Sequence, residues 1–220
     1  MYTEKMKTLE TSGKVVFFIF LNLLSGLILA QEELPFWQKK PHLYEQILNK
    51  RRIVVSVQKQ ITPQTETRYR MVGAGMVAAP LSYVRSEVGE FENLRNISSH
   101  FKEVVHDKDK SLLHLQIEAA GYQTRLTMKY KWASSTQGLE QMDWQVMGGP
   151  FEGMQGHYKL RSIGAKKTEV STWTLMPEPK VPIPSFLLNF TLEVISEKVA
   201  QKMRSYLEEK YQKSRNHEPK

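Results

Sequence analysis

The sequence contains no cysteine among its 220 residues. Disulfide bonds, thiolate metal sites and lipid attachment through a cysteine are therefore excluded, so packing must supply the stability of the fold. Low-complexity segments and internal repeats are also absent. With 40% hydrophobic residues, the chain is long enough for one well-packed core and short for two. We therefore expect a single folded domain.

Recognisable catalytic and metal-binding motifs are scarce. The six histidines show no H-x-x-x-H or similar spacing, the carboxylates are scattered, and no G-x-S-x-G motif is present. Residues 73–78 (GAGMVA) match the dinucleotide spacing G-x-G-x-x-A, but RYR at 68–70 stands where a buried strand is required, and Pro80 interrupts a helix started there. We therefore expect no metal, no cofactor and no identifiable catalytic residue, and we interpret the glycines as permitting either a sharp strand bend or a close approach of the helix.

The one long hydrophobic run, from Val15 to Ala30, is shorter than the about 20 residues that span a bilayer comfortably. Lys5, Lys7 and Lys14 precede it, and Ala30 offers a small residue for cleavage. Together these features predict a signal peptide over residues 1–30, with an uncleaved anchor through 15–30 as the alternative. Because an exported domain without disulfides fits the bacterial periplasm, we expect the chain there, free or anchored to the inner membrane.

Basic residues outnumber acidic ones, and the formal net charge is +8 at pH 7. The basic residues cluster at 39–40, at 50–52 and along 198–220, without the interleaved aromatic residues of a single-stranded nucleic-acid groove. We therefore expect no nucleic-acid partner and a monomer with a solvated basic surface. Weak contact with an anionic membrane surface is the alternative.

Apolar periodicity predicts an α+β domain with an antiparallel sheet. Alternation marks strands over 53–61 and 66–78, and then short strands at roughly ten-residue spacing from 101 to 176. Two short helices within 81–97 come after the first sheet strand and before that series. From Lys180 to Lys210, apolar residues recur at three- and four-residue steps, which predicts one long helix with Glu208 among the charged residues on its opposite side.

These elements define four segments. After the signal, residues 31–52 are interpreted as a peripheral arm with a short helix at 42–49. Residues 53–213 form the folded domain, and 214–220 are expected to be a disordered tail.

A single one-sided apolar face runs through the predicted sheet, and the long helix is the one element large enough to cover it. The large, soft and polar-tipped side chains of this sheet face suit an apolar pocket with a few orienting hydrogen bonds, although a filled core is the alternative. The candidate ligand-binding residues are Leu115, Ile117, Leu126, Met128, Tyr130, Trp132, Met142, Trp144, Met154, Tyr158 and Thr172 on the sheet, and Leu188, Leu192 and Ile195 on the helix.

Three segments carry a family resemblance: GAGMVAAPLSYVRSEVGEFENL at 73–94, GPFEGMQGHYKL at 149–160 and KKTEVSTWTLMPEPKVPIPSFLLN at 166–189. They resemble a strand that ends at Ala-Pro before two short helices, a glycine-marked strand, and a last strand with a proline-rich lead into the C-terminal helix, all in the START-like superfamily. This group is also known as the polyketide cyclase/dehydrase and coenzyme Q-binding group (SRPBCC). The resemblance covers roughly residues 54–210. It implies a helix-grip fold, in which a curved antiparallel sheet wraps around a long C-terminal helix and encloses a hydrophobic cavity.

Members of this superfamily bind lipids, quinones, sterols or aromatic polyketides, mostly without a cofactor, and the resemblance implies no transferable catalytic residue. Our first hypothesis is an exported, non-enzymatic protein that encloses a hydrophobic ligand such as a lipid or an isoprenoid quinone. The second is a cyclase or dehydratase-type enzyme that uses Tyr130, Tyr158 or His157 as a proton donor in the same cavity. The third is a partner-binding module with a filled core.

Overall fold

The computed structural model describes residues 35–63, 65–119, 122–133, 138–179 and 185–216. The chain divides into two compact units, residues 1–39 and 40–220. In the first, residues 35–39 form a turn in which the backbone N–H of Gln38 donates to the carbonyl of Pro35 at 2.9 Å. The expected signal peptide over 1–30 lies outside the described residues.

The second unit consists of helices and one sheet. The helices are α1 (Pro41–Asn49), α2 (Leu81–Gly89), α3 (Leu94–Ile97) and α4 (Ser185–Asn216), with a 3₁₀ turn at Phe91–Asn93. The strands are β1 (Val54–Ile61), β2 (Thr67–Val77), β3 (Phe101–Asp107), β4 (Leu112–Ala119), β5 (Tyr122–Trp132), β6 (Leu139–Gly148), β7 (Gln155–Ser162) and β8 (Thr168–Pro177). No helix in the described ranges is long and apolar enough to cross a membrane.

The strands form one 8-stranded sheet in the order β1-β2-β8-β7-β6-β5-β4-β3, and every neighbouring pair is antiparallel. Consecutive strands are neighbours except where β2 pairs with β8. The two short helices connect β2 to β3, and α4 follows the last strand. The predicted α+β class and its helix-grip arrangement are confirmed.

The two faces of the sheet differ in polarity, as β6 illustrates. Met142, Trp144 and Val146 are buried, whereas the intervening Asp143 and Gln145 are exposed. Successive side chains of a strand point to opposite faces. The neighbouring strands keep the same phase through their register, so their apolar side chains form one continuous inner face.

Helix α4 packs its apolar side chains on this inner face. Leu188 joins a buried cluster with residues of β1, β2 and β8, and Leu207 joins a second cluster with residues of β2, β7 and α2. The helix begins at Ser185 and runs for 32 residues, so the segment 214–216, expected in a disordered tail, is helical. Residues 217–220 and 180–184 lie outside the described residues.

Two carboxylates of α4 accept hydrogen bonds from backbone N–H groups of the sheet. Glu193 accepts from Val57 of the edge strand β1 at 2.8 Å, and Glu208 accepts from Ala78, just after β2, at 2.8 Å. Glu208 is 8% exposed and also pairs with Arg51. The expectation that Glu208 lies on the solvent side is wrong, because the N–H of Ala78 requires a partner at the end of the strand ladder.

Helix α1, expected within a peripheral arm, is hydrogen-bonded to the outer face of the sheet. Ile47 of α1 is fully buried. The Tyr44 hydroxyl donates to Glu169 on β8 at 3.0 Å, and Arg161 on β7 donates to both Tyr44 and Glu169 at 2.7 and 2.6 Å. Burial, followed by the negative charge of Glu169, raises the pKa of Tyr44. Residues 40–49 are therefore an integral layer of the second unit.

Candidate functional site

The inner face of β3 to β7 forms the larger apolar wall of the candidate site. Its buried members are Phe91, Leu113, Leu115, Leu126, Met142, Trp144 and Val146. The candidate ligand-binding residues Ile117, Met128, Tyr130, Trp132, Met154 and Tyr158 pack against them while retaining partial exposure. Ten of the fourteen positions selected from the sequence are thus brought together on this wall.

The second wall is formed by the start of α4 with β1, β2 and β8. Leu188 is buried there, and the candidate residue Leu192 packs against the buried cluster that contains Leu188. Met154 and Phe151 contact both this cluster and the larger wall. The two walls are therefore continuous around the segment between β6 and β7.

The placement of Ile195 differs from the expectation that it faces the ligand. Its side chain is 51% exposed. Glu193, two positions earlier, points to β1 and accepts the Val57 N–H, and two residues turn an α-helix by about 200°. Ile195 therefore faces away from β1, and it is removed from the candidate site.

Tyr158 occupies the centre of the inner face. It lies opposite Met142 of β6 on one side and Thr172 of β8 on the other. Burial raises the pKa of its phenol, yet the residue keeps accessible surface. Tyr158 therefore lies in a desolvated, partly buried position between Met142 and Thr172.

Several buried polar atoms on the inner side have no hydrogen-bond partner among the described residues. They are Trp144 Nε1, Thr172 Oγ1, the Tyr69 hydroxyl and Asn189 Oδ1. Most buried polar groups in proteins are paired, because an unpaired one costs about 1–3 kcal/mol. We refer to Trp144, Tyr158 and Thr172, which lie on three adjacent strands, as the inner polar group. Trp144 Nε1 and Thr172 Oγ1 within it are thus unpaired among the described residues and closed off from solvent.

One end of the larger wall is closed by a charged side chain that sequence reasoning did not identify. The guanidinium of Arg85 on α2 lies 3.3 Å above the centre of the Trp132 ring, and its Nε is 3.5 Å from Oε2 of Glu140. A cation over an indole face is electrostatically favourable. Arg85 therefore covers one face of Trp132, and only the rest of that side chain can contact a ligand.

Another end is closed by the 3₁₀ turn. His106 Nε2 lies 2.6 Å from the Tyr130 hydroxyl, and the Phe91 ring packs edge-on against both rings at 5.0 and 4.8 Å. Burial is the main cause that raises the pKa of Tyr130. The Tyr130 hydroxyl is thus hydrogen-bonded to His106 within the wall.

His157, considered as a proton donor, lies on the opposite face of the sheet from Tyr158. Its ring stacks on Trp173 with centroids 5.7 Å apart and planes 12° apart. The pair lines an open outer groove of about 390 Å³ together with Lys129 and Lys131. Of the three alternative proton donors, His157 therefore does not face the interior.

Metal ligation finds no support in the described part of the chain, where no three His, Asp or Glu side chains form a group that could hold an ion. The G-x-G-x-x-A segment lies largely within strand β2 rather than at a helix N-terminus. A Cβ on Gly73 would lie 3.0 Å from the carbonyl oxygen of Val54. Gly73 thus permits close approach of β1 and β2, rather than the strand bend or helix approach expected from the sequence.

No protein-family model matches the sequence, and no curated protein is significantly similar to it. Solved structures do resemble the fold. A START superfamily protein from Mycobacterium smegmatis matches with a TM-score of 0.54 and 18% identity, covering 64% of this chain and 97% of that one. A STAR-related lipid transfer protein from Xanthomonas axonopodis matches with a TM-score of 0.54 and 13% identity, covering 69% and 98%.

Human STARD10 matches over a longer part of the chain. Its TM-score is 0.55 at 12% identity, and the match covers 85% of this chain and 86% of that one. Identities this low establish a likeness of fold alone.

Proposed function

This chain has the START-like fold, and we propose that it is an exported, non-enzymatic protein that encloses a hydrophobic molecule, such as a lipid or an isoprenoid quinone, between its sheet and α4. The observation that carries the proposal is the continuous apolar inner face, whose members Met128, Met154 and Tyr158 pack against the buried cluster and remain only partly buried. A ligand in contact with Tyr158 would be shielded from water on both walls.

The composition of the walls supports an apolar ligand. Met128, Met142 and Met154 belong to or pack against the larger wall, and Leu188 and Leu192 form part of the second. Methionine side chains are flexible and polarisable, so they adapt to ligands of irregular shape. Few orienting polar groups are needed in such a site.

Helix α4 is the element that encloses the ligand in this proposal. Its hydrogen bonds to Val57 and Ala78 come from Glu193 and Glu208, whereas Leu188 holds the first turns by apolar contacts. Ligand exchange would then require displacement of the first turns of α4 from the second wall. The STAR-related lipid transfer protein from Xanthomonas axonopodis, by its name, moves lipids, which favours such exchange over permanent storage.

An enzymatic role is less well supported. Of the three candidate proton donors, Tyr130 is engaged with His106, and His157 stacks on the outer face. Tyr158 alone remains in the interior, and burial that raises its pKa keeps it protonated at neutral pH. The residues directly opposite Tyr158 are Met142 and Thr172, and neither can return a proton to the phenol, so Tyr158 suits ligand contact better than proton transfer.

Export is the part of the proposal that rests on sequence alone. Residues 1–30 combine lysines, an apolar run and a small residue, as secretory signals do. We propose a periplasmic location, with attachment to the inner membrane through 15–30 if the signal is not cleaved. The positive net charge would favour weak contact with an anionic membrane surface.

Native mass spectrometry of the protein purified from a bacterial host, followed by organic extraction, tests the proposal. We expect a fraction of the molecules to carry a non-covalent adduct that extraction releases as a hydrophobic molecule. A protein that is reproducibly empty and also ignores panels of lipids and quinones would favour the filled-core hypothesis. Turnover of an extracted molecule by the protein would favour the enzyme hypothesis.

A further inference from the structure

The outer groove lies on the face of the sheet that the enclosed interior does not use. Cross-strand register arranges its side chains in two rows across β5, β6 and β7, and the first row continues onto β8. The first row consists of Lys131, Asp143, His157 and Trp173, and the second of Lys129, Gln145 and Gln155. Neighbouring strands lie about 4.8 Å apart, so the first row is about 14 Å long. The groove volume of about 390 Å³ falls within the about 300–1,000 Å³ of small-molecule sites.

One end of the outer groove is aromatic. The His157 ring stacks on Trp173, with the ring centroids 5.7 Å apart, and both side chains are partly exposed. The face of an aromatic ring is electron-rich, so it attracts groups with a positive partial charge. A sugar ring presents C–H groups of this kind on one side and hydroxyl groups around its rim. The aromatic end therefore suits the apolar side of a sugar ring.

The middle of the outer groove offers hydrogen-bond donors and acceptors side by side. Gln145 and Gln155 lie directly opposite each other and are both exposed, and each amide supplies an acceptor oxygen and two donors. The neighbouring Asp143 accepts a hydrogen bond from Gln141 Nε2 at 2.7 Å. Hydroxyl groups both donate and accept, so they match this mixture. A phosphate chain would instead be repelled by the carboxylate of Asp143.

The far end of the outer groove is cationic. Lys129 and Lys131 are exposed, and neither forms an ion pair with another side chain in the described part of the chain. Asp143 lies opposite Lys131, whereas the neutral Gln145 lies opposite Lys129, so this end keeps a net positive charge. A carboxylate on the ligand would form charge-assisted hydrogen bonds here. Because the lysines lie three strands from Trp173, the ligand should contain more than one sugar ring.

We propose that the outer groove binds an acidic oligosaccharide built from uronic acid units. One sugar ring lies against Trp173, the hydroxyl groups contact Gln145 and Gln155, and the carboxylate of another ring contacts Lys129 and Lys131. This site goes beyond the proposed function, since it lies on the opposite face of the sheet from the enclosed interior. Its occupation does not require displacement of α4.

Uronate trisaccharides and their methyl esters test the proposal, because esterification removes the charge and keeps the sugar rings. We would titrate the trimers of galacturonate and of mannuronate, and the ester of each, and follow the indole N–H resonance of Trp173 by NMR. At least one trimer should bind about 3–10-fold more tightly than its ester at low salt, as exposed ion contacts predict. This preference should shrink as the ionic strength rises.

Two variants separate the ends of the outer groove. Lys129→Gln combined with Lys131→Gln should abolish the preference for the acid and leave the affinity for the ester nearly unchanged. Trp173→Leu should weaken the binding of acid and ester alike by about 3–10-fold, because the stacking surface is lost. Lys166→Gln removes a positive charge at an exposed position between β7 and β8, so it is the matched control and should keep the full preference.

Thermal melting of each variant shows whether the fold is kept, and the exposed lysine positions keep the test decisive even if Trp173→Leu fails to fold. The proposal is overturned if neither trimer binds at millimolar concentration, if acids and esters bind equally, or if the preference survives in the lysine variant. Tighter binding of an oligothymidylate at the same resonance would assign the groove to nucleic acid and would also overturn it. None of these results changes the expectation for the enclosed interior.

Discussion

The backbone N–H of Ala78 donates to the carboxylate of Glu208, 130 residues further along the chain, at 2.8 Å. Ala78 stands where β2 leads into α2, and Glu208 lies in the second half of α4. This bond joins the opening hairpin of the sheet to the helix that covers it. Since Glu208 also pairs with Arg51, one side chain connects three separate segments.

Glu208→Ala should lower the free energy of unfolding by about 1–3 kcal/mol, because the Ala78 N–H loses its buried acceptor, Glu208. Glu208→Gln keeps an acceptor oxygen and should cost less. Urea denaturation monitored by tryptophan fluorescence measures both. Glu209→Ala, at an exposed neighbouring position, is the control and should change stability by less than about 0.5 kcal/mol. If the alanine variants at 208 and 209 behave alike, Glu208 does not anchor the helix.

Thr172→Phe tests whether the space beside Tyr158 is open. If it is, the larger ring occupies that space, stability changes little, and the hydrophobic adduct is lost from the purified protein. In a filled core the same change overpacks the interior and costs about 1–3 kcal/mol. Thermal melting and native mass spectrometry on the same sample read out the two effects. Gln155→Phe, on the exposed side of β7, should leave the adduct in place.

The Tyr158 phenol should make stability depend on alkaline pH. Burial raises its pKa above the ordinary value of 10.0, so the folded protein holds this proton more tightly than the unfolded chain. The stability that the phenol contributes is present below pH 10 and is lost as the pH rises through the folded-state pKa. Between pH 10 and the folded-state pKa, Tyr158→Phe should therefore lose stability less steeply than the wild type, as unfolding at a series of pH values would show. Equal slopes would mean that the phenol is in contact with water.

Export predicts a mature protein that begins at Gln31. N-terminal sequencing of the periplasmic fraction from a bacterial host should find this residue, because Ala30 is the small residue at the expected cleavage point. Ala30→Arg should block processing and leave the chain at its full length in the membrane fraction. A full-length wild-type protein in the membrane fraction would instead favour the anchor, and a soluble full-length protein in the cytoplasm would contradict export.

Local periodicity was sufficient to identify the layers of the fold. The alternation of Met142, Trp144 and Val146 is set by the pleat of a strand, so the sequence reveals which side chains share a face. In the same way, the three- and four-residue spacing that includes Leu188 and Leu192 indicates which face of the helix is apolar. Because the strands are antiparallel and in phase, one face could be followed across the sheet, and ten of its predicted residues meet on the larger wall.

What could not be read from the sequence depends on partners far apart in the chain. The spacing that groups Ile195 with Leu188 does not say how far the covering surface extends, and Ile195 is exposed. Arg85 above Trp132 and Tyr44 beside Glu169 join residues on separate elements. Such contacts are set by how the elements dock, and no local pattern encodes them.

The hydrogen bond from Val57 to Glu193 has a consequence for colloidal behaviour. Val57 lies on β1, an edge of the sheet, and edge strands with free backbone groups recruit other chains into intermolecular sheets. Because Glu193 of the helix accepts the Val57 N–H, this backbone group is not available to pair with another chain. In the proposed function, ligand exchange lifts the start of α4, and the edge of β1 would then be exposed for as long as the helix is displaced. The occupied protein should therefore resist aggregation better than the empty one, and the rate of self-association would report how often α4 opens.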